Sequence, residues 1–286
     1  MTAPRLENRL PPEDLLERDE HPLRELAWLL AASVAALATL VLVTGLVARW
    51  LAPRLPFEYE LALANRLLPV TAPADAAAAA RQAALQALAN RVAATLALPP
   101  GMQVFVSDEP SELVNAYATV GGRIRVFHGL LRQLQSEEAL AALLAHEMAH
   151  VKHRHVAAGM GHGLAVVLTL SVVAPEGAAQ AAQGLLNGAA QLALLGYSRE
   201  HERQADADAL AASLALYGHG GGLAELFAVL PRAEAPAGTV WLRSHPDTAE
   251  RLALLEAAAK AQGAQLTGTT TPLPQALRAL PAAAKP

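Results

Sequence analysis

The sequence predicts a mainly α-helical fold with a small β-sheet, an α+β domain behind one N-terminal membrane-spanning helix. Three observations carry this reading. Hydrophobic residues, mostly Ala and Leu, make up 53% of the chain while aromatics make up only 4%, which suits packed helices better than a β-sandwich. Leu26 to Ala48 is a run of 23 residues without a charge. Gly121-Gly122 lies between two short runs of strand character and is a two-residue hairpin signal.

Taken in order, residues 1–25 carry Pro11-Pro12 and mixed charge and read as a flexible tail. Residues 26–48 as a helix would span about 34 Å, enough for a hydrocarbon core of about 30 Å. Trp28 and Trp50 stand near its ends, where interfacial anchors occur. The preceding segment is too long and too acidic for a signal-peptide n-region, so the run is expected to be a permanent anchor in a lipid bilayer. Arg9, Arg18 and Arg24 on one side balance Arg49, Arg54 and Arg66 on the other, so the charge rule leaves the orientation open.

Pro53 and Pro56 mark a linker, and the domain behind it is expected over residues 55–262. Asp75 to Leu98 has Leu85, Leu88, Val92 and Leu96 at helical spacing and is stopped by Pro99-Pro100-Gly101. Met102 to Ser107, Asn115 to Val120 and Arg123 to His128 read as strands. In the last of these Ile124 and Val126 point one way and Arg123 and Arg125 the other. Ser136 is the expected N-cap of a helix reaching His155, with Glu137 and Glu138 in its first turn.

The segment 156–196 carries a single charge, Glu176, and is expected to lie as a buried or surface helical pair that does not cross the membrane. Further helices are expected from Arg199 to about Leu216, ended by the glycines around 218–222, then at Leu223–Leu230 and Thr248–Ala261. Residues 263–286, rich in Gly, Thr, Pro and Ala, read as a loose tail.

Chemistry concentrates in His146-Glu147-Met148-Ala149-His150, an HExxH motif inside the Ser136–His155 helix. Residues four apart lie on one helix face about 6 Å apart along the axis, so both imidazoles can bind one tetrahedral Zn²⁺. Glu147, beside the first ligand, is placed to take a proton from a water at the metal. A catalytic zinc keeps three protein ligands and one open position. The best third ligand lies in the run Tyr197 to Asp206. Glu202 and Asp206 share a helix face there, so that Glu202 can ligate while Asp206 accepts a hydrogen bond from a ligand histidine. The bland alternative is a solvated charged face. The chain has no Cys, which rules out a thiolate site, and its net charge of −4 gives no reason to expect nucleic acid.

HEMAH followed by Val151 and Arg154-His155, then Ser198-Arg199, Glu202 and Ala205-Asp206, resembles the HtpX-like and CaaX-prenyl-protease-type zinc metallopeptidases. The resemblance extends to Asn115-Ala116-Tyr117-Ala118, Gly121-Gly122, Ile124, Val126 and Gly129-Leu130-Leu131, and to Ser244-His245-Pro246 with Arg251. It covers roughly residues 57–260. It implies a gluzincin-type domain holding one Zn²⁺ per chain through His146, His150 and Glu202, with Glu147 as base. By the same resemblance His245 lies near the zinc. There it would either donate to the oxyanion or occupy the open metal position; otherwise it is a loop histidine capping the next helix. Arg251 either orients His245 or the substrate, or is a surface arginine. His153 lies too far along the helix axis to join the other two, and His155 reads as structural. His128, His162, His201 and His219 read as strand, core, solvated-face and loop residues.

The activity this implies is that of a membrane-anchored endopeptidase acting on unfolded or misfolded envelope or membrane polypeptides. An edge strand formed by Gly122, Arg123, Ile124, Arg125 and Val126 would pair with an extended substrate. The alternative is a zinc-bound, chaperone-like binding module with latent or blocked protease activity. A short tail, one uncleaved span and a large following domain favour a single-pass protein of a bacterial inner membrane with its catalytic domain in the periplasm.

Overall fold

The computed structural model describes residues 22–67, 72–159, 177, 180, 197–230, 245 and 248–281. The chain divides into two compact units, Met1–Leu42 and Val43–Pro286. The described residues of the first belong to helix α1 (Pro22–Leu51), which contains the expected anchor and ends in the second unit. Its Pro22–Val47 stretch is long and apolar enough to cross a membrane, and its most apolar window is unburied. The apolar segment 156–196 is described only at 156–159, 177 and 180, so its expected lack of crossings lies outside the described residues.

The second unit runs α2 (Phe57–Leu67), α3 (Ala76–Thr95), β1 (Phe105–Glu109), β2 (Ala116–Thr119), β3 (Arg123–Phe127), α4 (His128–Leu131) and α5 (Glu137–Lys152), then α6 (Arg199–Tyr217), α7 (Gly221–Val229), α8 (Thr248–Ala261) and α9 (Gln275–Arg278). Caps fix the helix ends that the sequence marks. Asp75 accepts from the Ala78 N–H at the start of α3, and Ser136 and Ser198 do the same for α5 and α6. Gly218, at φ 76°, ends α6 in the left-handed conformation that glycine tolerates.

Helix α5 is the core element. Fourteen residues, Glu138 to Val151, are buried, so it is enclosed on all sides rather than amphipathic. Helices α3, α6 and α7 and strands β2 and β3 pack around it. Leu85, Leu140, Leu143, Leu144, Met148, Leu210 and Leu226 fill the space between them.

The sheet has the order β1-β3-β2, with β3 parallel to β1 and antiparallel to β2. This corrects the expectation for Arg123, Ile124, Arg125 and Val126. They are not an edge: β3 is paired on both sides, Ile124 with Val106 and with Ala118, and so cannot accept a substrate strand. Gly122 precedes the strand in the turn. The β2–β3 connection is three residues, Val120–Gly122, rather than two. Gly121 and Gly122 have φ of 71° and 69°, and a Cβ on Gly121 would meet the Ala64 side chain at 2.5 Å, so both conformation and space demand glycine there.

The two outer edges of the sheet differ. Beyond β1, Gln86 of α3 accepts from the Val106 N–H at 3.0 Å and donates to the Val104 carbonyl at 3.0 Å, and Gln82 donates to the Val106 carbonyl. Two glutamines thus close that edge. On β2, the Phe127 N–H donates to the Asn115 carbonyl. By the alternation of an antiparallel ladder, Ala116 and Ala118 then turn their N–H and C=O groups away from β3. The Ala118 N–H meets a carboxylate of α5. Among the described residues no strand pairs with this edge.

The expected loose tail at 263–286 is also corrected as far as Pro281. Leu266, Leu273 and Leu277 are buried. The Thr271 carbonyl accepts from the Glu137 N–H at 2.8 Å, the Gln135 carbonyl from the Leu273 N–H at 3.1 Å, and the Glu138 carboxylate from the Thr271 N–H at 2.8 Å. Three leucines in a polar segment are enough to dock it across the start of α5. Its backbone there satisfies one of the N–H groups that a helix start leaves unpaired.

Candidate active site

The active-site side chains come from α5, from α6 packed beside it, and from residues 245–251. Helix periodicity puts His146 and His150 on the face of α5 that meets α6, and puts Glu202 and Asp206 one turn apart on the facing side of α6. His146 Nε2 lies 3.2 Å from His150 Nε2 and 3.2 Å from His245 Nδ1. Glu202 Oε1 is 2.9 Å from His245 Nδ1 and 3.5 Å from His150 Nε2, and Glu202 Oε2 is 3.6 Å from His146 Nε2. One donor atom from each of His146, His150, Glu202 and His245 lies within 4.8 Å of every other, and all four residues are buried.

Tautomers can be assigned from the outer partners. Asp206 Oδ1, 3.1 Å from His146 Nδ1, accepts a hydrogen bond from the Nδ1–H and leaves the Nε2 lone pair facing the cluster. Gln204 donates its amide to Glu200 at 3.1 Å, so its carbonyl oxygen faces His155 Nε2, also at 3.1 Å. His155 therefore donates from Nε2 and accepts at Nδ1, which lies 3.0 Å from His150 Nδ1. His150 must carry its proton on Nδ1, and its Nε2 lone pair also faces inward. Two imidazole lone pairs point at one another across 3.2 Å with no proton between them. A cation resolves that repulsion. Nitrogen and oxygen ligands about 2.0–2.1 Å from a tetrahedral metal stand about 3.3 Å from each other, and the observed separations fall around that value. The residues fit a tetrahedral divalent cation.

Charge around the cluster is finely set. Burial depresses His150 and His245 well below the usual imidazole range, reinforced at His150 by the neighbouring histidines and opposed at His245 by the Glu147 carboxylate, so both imidazoles are neutral at pH 7. Burial lifts Glu202 up to about 7 despite the Arg251 guanidinium 2.6 Å away. Burial also opposes ionisation of Asp206, but hydrogen bonds from Arg251 and His146 overcome it and bring Asp206 to about 2. Arg251 binds Asp206 through two nitrogens, at 2.8 and 2.7 Å. It thus clamps both α6 carboxylates and is buried rather than facing solvent.

Glu147 is buried beside the cluster. Its Oε2 accepts from the Ala118 N–H at 2.9 Å, and its Oε1 lies 3.7 Å from His245 Nε2. Glu147 is thereby held between the cluster of His146, His150, Glu202 and His245 and the β2 edge that no described strand pairs. Gly122 and Arg123 to Val126 are not part of this constellation.

Two residues that the sequence reading left out belong to the site. His155 orients His150, as described. The Tyr197 ring stacks on His150 with centroids 3.7 Å apart and planes at 18°. The signal for His155 was its place five residues after a ligand; for Tyr197, an aromatic just before the α6 cap. Other histidines sit elsewhere: His128 bonds Asp108, His153 bonds Asp208, and His219 faces the Thr269 carbonyl. His201 stacks on His155, and His162 lies outside the described residues.

The chain is similar to a putative beta-barrel assembly-enhancing protease of Vibrio cholerae, 36% identical over 103 residues, which cover 32% of this chain and 21% of that protein. The Escherichia coli beta-barrel assembly-enhancing protease is 29% identical over 103 residues, 32% of this chain and 21% of its own length. The mitochondrial metalloendopeptidase OMA1 of Schizosaccharomyces pombe is 37% identical over 94 residues, 32% of this chain and 27% of that protein. The matched region thus spans about a fifth to a quarter of these relatives. The model of peptidase family M48 matches residues 79–259, from α3 to α8 and so across every residue of the cluster, and the chain belongs to that family.

Proposed function

We propose that the protein is a membrane-anchored zinc metalloendopeptidase that cuts unfolded or misfolded polypeptides. The convergence of His146 Nε2, His150 Nε2, a Glu202 oxygen and His245 Nδ1 next to the Glu147 carboxylate carries this reading. His146, His150 and Glu202 would hold zinc, Asp206 and His155 would orient the two ligand imidazoles, and Arg251 would orient Glu202. Zinc, when bound, supplies a Lewis acid that polarises the scissile carbonyl and favours deprotonation of water near neutral pH. Glu147 takes the proton of the attacking water and returns it to the leaving amine nitrogen. Its hydrogen bond from the Ala118 N–H keeps the carboxylate aimed at that proton.

The substrate backbone extends along the β2 edge that no described strand pairs, using the Ala116 N–H and C=O and the Ala118 C=O, since the Ala118 N–H is held by Glu147. Main-chain pairing selects unfolded segments over particular sequences. Names of relatives, a beta-barrel assembly-enhancing protease and a mitochondrial metalloendopeptidase, fit a role in membrane or envelope protein quality control. A bacterial inner-membrane location with the catalytic domain in the periplasm is part of this proposal; the apolar Pro22–Val47 helix supports the anchoring, and alkaline phosphatase fused after Pro286 should be active if the domain is periplasmic. The purified full chain should contain about one zinc, cleave casein, lose cleavage when a chelator strips the metal, and regain it with added Zn²⁺. A metal-free protein that cleaves equally well would overturn the proposal.

His245 fits the fourth metal position, because its Nδ1 lies inside the donor cluster. It acts as a resting-state ligand that substrate displaces. His245→Ala should therefore raise casein cleavage at unchanged zinc content; a loss of cleavage with zinc retained would make His245 an oxyanion donor instead.

A further inference from the structure

Helix α2 lies just past the candidate span, and its two faces differ. The inner face is strapped to the catalytic unit. The Arg154 guanidinium pairs with Glu60 at 2.7 Å, donates to the Leu55 carbonyl at 2.6 Å and lies 5.6 Å over the Phe57 ring. Arg154 sits in the turn that ends α5, at φ 64°, a conformation costly for a side chain with a Cβ and held here by these contacts. Asn65 accepts from Arg123 at 2.7 Å, and Ala64 closes on Gly121. Helix α2 is thus fixed both to the end of the HExxH helix and to the turn that leads out of the β2 edge.

The outer side is mixed, with apolar side chains exposed beside Glu58, Asn65 and Arg66. Tyr59 is 61% exposed, Leu63 42% and Leu55 44%. Leu46, Val47, Trp50 and Leu51 at the end of α1 are exposed as well, and only the 3-10 turn Ala52–Arg54 and two further residues separate them from α2. The Arg54 guanidinium lies 4.4 Å over the Trp50 ring, an aromatic–cation pair of the kind that marks the headgroup level. Phe57 follows Arg54 by three residues, so the chain carries it no more than about 11 Å from that level. Arg66, also exposed, lies about 20° around the helix from Tyr59 on the side away from Leu63, and can reach outward to phosphates while Tyr59 and Leu63 face the acyl boundary.

We infer that the outward face of α2 rests in the interfacial layer of the bilayer that α1 enters, and so holds the open β2 edge at the membrane surface. This rests on the anchored-peptidase reading and narrows its substrates to polypeptide segments close to lipid: juxtamembrane stretches and chains emerging from the bilayer. A protein dissolved in bulk solvent would reach the edge less often.

The chain has no cysteine, so single-cysteine variants of the full protein report one position each. Tyr59→Cys, Leu63→Cys and, as an exposed control on α8, Lys260→Cys would carry an environment-sensitive fluorophore in vesicles of phosphatidylcholine and phosphatidylglycerol. Labels at 59 and 63 should be blue-shifted and quenched several-fold by spin-labelled lipid, with the control at 260 unchanged. Water-like, unquenched labels at 59 and 63 in protein that resists alkaline extraction would overturn the inference and leave the anchor standing. Protein released by alkaline extraction would overturn both. A blue shift that grows with protein density and ignores spin-labelled lipid would assign the face to a second copy of the chain, which also overturns it. As a second readout, Leu63→Glu should reduce cleavage of a membrane-tethered substrate several-fold and leave casein cleavage unchanged; equal effects on both substrates would count against it.

Discussion

Glu147→Gln is expected to retain about one zinc per chain and to lose cleavage of unfolded substrate by between about 10² and 10⁴-fold. Glu147 is fully buried, so the replacement must fit the same space, and the amide has the carboxylate's shape. Its carbonyl oxygen can still accept from the Ala118 N–H, which preserves the contact between α5 and β2. The residue is not among the converging donor atoms, so metal content should not change. What the amide cannot do is take a proton from the attacking water. Metal analysis and casein cleavage on the same preparation separate the two effects. Wild-type cleavage by a metal-replete variant would remove Glu147 from its role. Lost cleavage together with lost metal would show that the residue supports the site rather than the proton transfer.

What could be read from the sequence was local. Asp75, Ser136 and Ser198 cap their helices because a short polar side chain reaches a backbone N–H three residues on, a relation that lies within the window of inspection. The HExxH face and the Glu202–Asp206 face are equally local. Pairing of β1 with β3 is not. Alternating residues look the same in a central and in an edge strand, and only the parallel return of β1 reveals that Arg123 to Val126 are covered on both sides. His155 was hidden by a break in periodicity. Continued as one helix from Ser136, five residues past His150 is about 140° around the axis, facing away from the metal. The left-handed Arg154 interrupts that helix and turns His155 back onto His150. Residues 263–281 were read by composition, which cannot weigh three well-placed leucines.

Arg251→Met should destabilise the metal-free protein by about 3–5 kcal/mol, because it leaves two buried carboxylates without their cation. Arg251 is 4% exposed and touches both Glu202 and Asp206, which are themselves 1% and 5% exposed. The effect should depend on pH in a direction set by these groups. Asp206 is held at about 2, below its ordinary 3.8, so the stability it contributes is full above pH 4 and disappears as pH falls through 2. Glu202 is lifted to about 7 from 4.5, so the native state holds its proton more tightly than the unfolded chain does. Its ionisation therefore costs stability progressively between pH 4.5 and 7, and that cost must grow when Arg251 is gone. The Asp206 contribution is the same at pH 5 and pH 7.5, so it is the Glu202 argument that makes the gap between wild type and variant wider at pH 7.5 than at pH 5. Thermal melting of chelator-treated proteins should show a gap on the order of 10 °C at the higher pH. Zinc, by replacing the missing positive charge at Glu202, should recover part of it. Identical melting of the two proteins at pH 7.5 would mean that the clamp contributes nothing to the fold. A gap that zinc does not narrow would mean that Arg251 acts through Asp206 alone.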